Sequence, residues 1–204
     1  ESSLKALTGK FPTRVNVPAN RRFVGFDNHL GVCSCPEVNL IVTAAPPGFR
    51  PIHFKAAIEA GKHVFMEKPV AVDPVGIRSI IATSELAARK KLALVAGTQR
   101  RHQQRYLEMM KRIQDGQIGE IVGAQVYWNQ GDLWVKQREP NMTEIEWQCR
   151  NWLYFTWTSG DHIVEQHVHN IDVANWAMGV APKNVMGMGG RQVRVAPEYG
   201  NIFD

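Results

Sequence analysis

Three stretches of this sequence place chemistry-bearing side chains where a fold can use them. The first is Glu67-Lys68-Pro69, directly after the short apolar run His63–Met66. If that run is a strand of an open parallel sheet, its carboxyl end borders the crevice in which such sheets bind ligands. A lysine there can point its ammonium into the crevice, and Pro69 restricts the backbone direction. The plainer reading is a solvated Glu-Lys pair at a strand end. The second stretch runs from Asp161 to Asp172. On an α-helix, Asp161, Glu165, His169 and Asp172 fall at about 0°, 40°, 80° and 20°. Four ionisable groups then share one face, while His162 and His167 point elsewhere. Such a face either meets water or serves a site. Asp, Glu and His at this spacing can ligate a metal, but no HExxH or comparable signature is present, and no metal is expected. The third stretch is Ala44-Ala45-Pro46-Pro47-Gly48. Small residues let a cofactor approach the backbone, although taken alone the stretch is only a turn. The three cysteines, Cys33, Cys35 and Cys149, form no CxxC pair. Neither a disulfide scaffold nor a zinc ribbon follows from them.

These residues need elements to hold them. Val38 to Ala44 reads as a buried strand stopped by Pro46-Pro47-Gly48. Pro51 to Ala60 reads as a helix with proline in its first turn and Gly61 as its stop. His63 to Met66 is a second strand. Asp73 is a plausible N-cap for a helix reaching about Lys91, with Pro74 at its first position. Leu92 to Ala96 is a third strand, and Arg101 to Gln114 a helix. Ser3 to Lys10 fits the end of an earlier helix. Strands alternating with helices imply βαβ units and an α/β fold with a doubly wound parallel sheet. After Gly119 the texture changes. Ile121 to Trp128 alternates as an antiparallel strand would, and all six tryptophans lie between Trp128 and Trp176. A long aromatic-rich loop over 131–157, a helix over 161–178 and a Gly-rich strand region over 185–195 are expected. The expected boundary near Gly119 divides the chain into 1–119 and 120–204.

Composition narrows the function classes. Of 204 residues, 44% are hydrophobic and 21% charged, as in ordinary globular domains. The net charge is +5, but the basic residues are scattered, which argues against a nucleic-acid surface. No apolar run reaches the roughly 18 residues of a membrane span.

The segment TAAPPGFRPIHFKAAIEAGKHVFMEKPVAVD, residues 43–73, resembles the glucose–fructose oxidoreductase, inositol dehydrogenase and rhizopine-catabolism family (Gfo/Idh/MocA). The spacing AIEAGKHVFMEKP carries the resemblance. The second half agrees: the family places an acidic residue, three spacers, His, two spacers and Asp on a helix of its substrate domain, and Glu165, His169 and Asp172 match. GTQRRHQQRY at 97–106 and the closing PEYGNIFD are similar to a bacterial branch of the family. There are two departures. The acidic position is usually Asp and is Glu165 here, and a position that is often His is Arg50.

The resemblance implies a partial Rossmann domain over 1–119, followed by the start of an α/β substrate domain with an open, mainly antiparallel sheet over 120–204. The first strand, its G-x-G-x-x-G turn and a ribose-binding acid are expected before Glu1, and more of the second sheet after Asp204. The chain as given is therefore expected to bind NAD(H) poorly and to expose two unpaired sheet edges. The implied activity is oxidation of a secondary alcohol on a sugar or polyol, with NAD or NADP as cofactor and a homo-oligomeric parent. His169 would accept the hydroxyl proton, Lys68 would hydrogen-bond the same oxygen, and Glu165 would orient substrate hydroxyls or His169. Ala45, Pro46, Glu67 and Lys68 would contact the cofactor, with Asp172 in support of the helix. Lys68 and His169 should face one cleft. A redox-neutral NAD-dependent glycoside hydrolase or lyase is the alternative, and a non-catalytic nucleotide- or sugar-binding protein the second. The compartment stays open between cytoplasm and periplasm.

Overall fold

The computed structural model describes residues 2–131 and 133–204. Its first half is built on three parallel strands, β1 (Leu40–Thr43), β2 (His63–Glu67) and β3 (Leu94–Gly97), in the order β1-β2-β3. The register pairs Thr43 with Met66 and Glu67 with Gly97. The carboxyl ends of all three strands therefore lie along one edge. Helix α1 (Ser2–Lys10) and helix α2 (Asn28–Ser34) precede the sheet. Two crossover helices connect the strands, α3 (Arg50–Glu59) and α4 (Pro74–Arg89). Pro51 sits in the first turn of α3, where its missing N–H costs nothing. Asp73 caps α4 by accepting a hydrogen bond from the Gly76 amide at 2.6 Å. The core lies between the sheet and these helices, where Phe54, Ala57 and Ile58 meet Val64, Met66 and Ile80.

The other face of the sheet is bare among the described residues. Leu40 and Val42 are 53% and 64% exposed. The run expected to be a buried strand is thus buried on one face only, with Leu40 and Val42 exposed on the other. Beyond β3 come a 3₁₀ turn (Gln99–His102) and helix α5 (Gln104–Gln114).

A second, smaller core joins Leu153, Tyr154, Phe155 and Ile202, with Trp147 and Trp152 against it. The expected long loop contains helix α6 (Glu144–Arg150). Thr143 and Glu146 form a capping box at its start, a T-x-x-E signature visible in the sequence. A short helix α7 (Thr156–Ser159) ends at Gly160 with φ of 76°. The expected helix over 161–178 is composite. Ile163–His167 form a π-helical turn, and α8 (Val168–Met178) continues it. The strands expected over 121–128 and 185–195 do not form among the described residues. An isolated strand has no ladder to hold it, and no described strand lies beside either stretch. Val122, Val185 and Met186 are exposed there.

Candidate active site

The site forms where the carboxyl end of β2 meets the π-helical turn. Glu67 closes β2, and Lys68 follows at the sheet edge, joined to Pro69 by a cis peptide. The Lys68 ammonium crosses 97 residues of sequence to the π-helical turn. It donates to the Glu165 backbone carbonyl and, at 2.8 Å, to Glu165 Oε1. The pair is largely enclosed, with side chains 15% and 9% exposed. Burial pushes the Glu165 carboxyl above its ordinary range. Lys68 and Arg50 oppose that shift and Glu67 adds to it.

His169 lies one turn further along the helix, buried and stacked on Trp128 with ring centroids 5.4 Å apart. Its pKa is lowered to about 4, first by burial and then by the cations Lys68 and Arg100, against the pull of Asp172. At neutral pH the imidazole is therefore uncharged and able to accept a proton. Lys68 and His169 line the same small cavity with Thr98, Arg100, Val168 and Asp172. Its volume, about 10 Å³, suits roughly one water.

Lys68 also walls a larger cavity of about 510 Å³ along the ends of β2 and β3, together with Phe65, Glu67, Gly97, Gln99 and His102. A Cβ at Gly97 would sit 2.6 Å from Glu67 Oε2, so a larger residue there would have to displace the Glu67 carboxylate. This volume is within the range of small-molecule sites. Its place, outside the carboxyl ends of parallel strands, is where such sheets take dinucleotides. The cavity therefore has the size and the place to admit part of a dinucleotide, with Glu67, Lys68 and Gly97 in its wall. Ala45 and Pro46 line a separate cavity of about 420 Å³ with Phe26, Phe49 and His53. The structure thus brings Lys68, Glu67, Glu165 and His169 together, and sets Ala45 and Pro46 to one side of them.

The polar face read from helical spacing is divided among different partners. Asp161, with φ of 69°, accepts from the His162 and Phe203 amides. Asp172 accepts three hydrogen bonds of 2.8–3.1 Å from the Arg101 guanidinium, which also lies over Trp176. Arg100 bonds the Asn170 side chain and lies over the rings of Trp128 and Tyr106. Sequence reasoning did not select Arg100, Arg101 or Trp128. The signal for the arginines was present: they follow β3 at the same sheet edge as Lys68, and the rule applied to β2 extends to β3. Among the described residues no group of three or more His, Cys, Asp or Glu side chains could hold a metal ion. None of the described helices is long and apolar enough to cross a membrane.

Comparison with known proteins identifies the family and agrees with the fold. Residues 6–112 match the oxidoreductase family with an NAD-binding Rossmann fold (GFO_IDH_MocA), and residues 106–201 match the GFO/IDH/MocA C-terminal domain. An inositol 2-dehydrogenase/D-chiro-inositol 3-dehydrogenase of Lactiplantibacillus plantarum is 27% identical over 169 residues, 83% of this chain and 42% of that protein. Among solved structures, a putative oxidoreductase, YvaA, of Bacillus subtilis superposes with a TM-score of 0.65 at 22% identity, covering 100% of this chain and 49% of the other. A scyllo-inositol dehydrogenase of Lactobacillus casei with bound NAD(H) and scyllo-inositol gives a TM-score of 0.51 at 23% identity, covering 77% and 41%. The chain spans about half the length of the curated relatives it matches.

Proposed function

Since the chain belongs to the Gfo/Idh/MocA oxidoreductase family, we propose that it forms the catalytic part of an NAD(P)-dependent dehydrogenase acting on a secondary alcohol of a polyol or sugar. A cyclic polyol of the inositol type is the substrate class that the similar proteins suggest. The observation that carries the reading is the cavity shared by Lys68 and an uncharged His169.

In this reading residues 1–119 belong to the cofactor domain and 120–204 to the substrate domain. The cofactor supplies the acceptor for the hydride that leaves the carbinol carbon. His169 takes the hydroxyl proton on a ring nitrogen, a task for which its uncharged form is required. Lys68 hydrogen-bonds the same oxygen and favours the negative charge that develops there. Glu165 fixes the ammonium through Oε1. Trp128 covers one face of the His169 ring and limits its exposure to water. Glu67 and Gly97 shape the cofactor side of Lys68.

The test is oxidation of inositols and related polyols with NAD or NADP, followed by the absorbance of the reduced cofactor, in the parent enzyme and in Lys68→Ala and His169→Ala. Each variant should lose kcat by about 10²–10⁴-fold with cofactor affinity little changed. A His169→Ala enzyme within about threefold of the parent removes His169 as the base.

A further inference from the structure

Arg50 opens helix α3 with only 3% of its surface exposed, and no step above uses it. One of its terminal nitrogens donates to the Pro69 carbonyl, the peptide oxygen next after Lys68. The other donates to the Ala45 carbonyl at 2.6 Å. The guanidinium therefore ties the segment that follows β1 to the segment that follows β2. Two buried polar atoms in this neighbourhood have no hydrogen-bond partner among the described residues, Arg50 Nε and Glu165 Oε2. Of the two Glu165 carboxylate oxygens only Oε1 accepts from Lys68, which also donates to the Glu165 backbone carbonyl. The charges of Arg50 and Glu165 sense each other, as each moderates the effect of burial on the other.

We propose that Arg50 is a positioning residue for the Lys68–Glu165 pair: its fork fixes the backbone on which Lys68 stands, and its charge is the second cation beside the Glu165 carboxylate. Burying a guanidinium without a full ion-pair partner is costly, so a replaceable hydrophobic side chain would serve packing better. A planar fork can bond two carbonyls at once, and lysine cannot copy that geometry. Histidine, often found here in the resembling family, is shorter and carries charge only below about pH 6.5. Arg50 thus gives the pair a permanent cation at the base of the sheet edge.

The catalytic meaning of this inference rests on the proposed dehydrogenase reading, but its principal test needs no turnover. The groups around Glu165 are Lys68 and Glu67 at the end of β2, Arg50 on α3, and His169 one turn along its own helix. Glutamate carboxyl carbons labelled with ¹³C are titrated by NMR, with Glu165→Gln assigning the signal. In Arg50→Met the Glu165 midpoint should move to higher pH than in the parent, because an opposite charge has gone. In Arg50→Lys it should move less. A midpoint in Arg50→Met equal to the parent's overturns the proposal. Should Arg50→Met fail to fold, Arg50→Lys decides alone through kinetics in the parent enzyme. That variant keeps the charge and loses the fork, so kcat should fall about tenfold or more with KM nearly unchanged. An unchanged kcat overturns the positioning role. If no polyol is turned over by any form, the dehydrogenase reading fails while the titration still decides the place of Arg50.

Discussion

Replacing Lys68 by Met tests whether the Lys68–Glu165 pair is a buried ion pair or a surface contact. The two side chains are 15% and 9% exposed. Removing one partner of a buried pair costs about 3–5 kcal/mol, since the other is left charged and uncompensated. Arg50 remains beside Glu165 and the pair keeps some access to water, so the cost falls just below that range, to about 2–3 kcal/mol. For a chain of this size that corresponds to a Tm lower by roughly 4–12 °C. The cost must depend on pH. Burial already raises the Glu165 pKa, and losing Lys68 removes the strongest opposing influence. A carboxyl whose folded-state pKa lies above its unfolded value favours folding when protonated, and that contribution is lost as pH rises through the folded pKa. The difference between Lys68→Met and the parent should therefore be large at pH 7, shrink as pH falls through the two raised folded-state pKa values, and be nearly gone at the unfolded carboxylate value of about 4.3. Adding Glu165→Gln should recover at least about 1 kcal/mol, because the two sites are coupled. The assay is equilibrium urea unfolding followed by tryptophan fluorescence at pH 4 and pH 7. A cost below about 0.5 kcal/mol, or an equal cost at both pH values, would refute the burial argument.

Three further outcomes follow from single residues. His169 should titrate near 4 by NMR. Its depressed pKa makes its contribution to stability complete above the unfolded value of about 6.5 and lost as pH falls toward 4, so His169→Gln should flatten the stability profile in that window. Arg101→Met should cost about 0.5–1 kcal/mol in urea unfolding, because its pair with Asp172 is bidentate but partly exposed; a cost above about 3 kcal/mol would show a buried anchor instead. Gly48→Ala should cost about 1–3 kcal/mol, since the new Cβ would lie 2.3 Å from the Trp157 backbone oxygen; an unchanged melting temperature would show that α7 yields freely.

Local signals decided how much of the fold was readable. The α4 start was legible because Asp73 and Pro74 act within one turn. All three strands were legible because each is a short apolar run bounded by Gly or Pro, and their parallel pairing follows from the intervening helices. Residues 121–128 carry a strand's alternation yet form none among the described residues. Alternation describes a side-chain pattern, whereas a strand also needs a neighbour to accept its hydrogen bonds. The capping box of α6 was present as Thr143 and Glu146, but the tryptophans around it drew the reading toward a loop. Lys68 was legible from its place after β2, and His169 from the family spacing.

The joining of these residues was not legible, and the π-helical turn shows why. A wheel drawn at about 100° per residue assumes hydrogen bonds from i to i+4 throughout. Over Ile163–His167 the bonds run from i to i+5, which adds backbone to the turn and shifts every later side chain around the axis. Such turns are frequent at functional sites. Here the turn presents both the backbone carbonyl and the side chain of Glu165 to the Lys68 ammonium. The helix beyond it sets His169 against Trp128 and Asp172 against Arg101. The four groups that a regular wheel puts on one face therefore serve three different tasks: Asp161 holds backbone amides, Glu165 and His169 border the Lys68 cavity, and Asp172 docks α8 to the segment after β3. Sequence spacing can report that ionisable groups recur, but only the partner each one meets decides whether it is a base, a support or a cap.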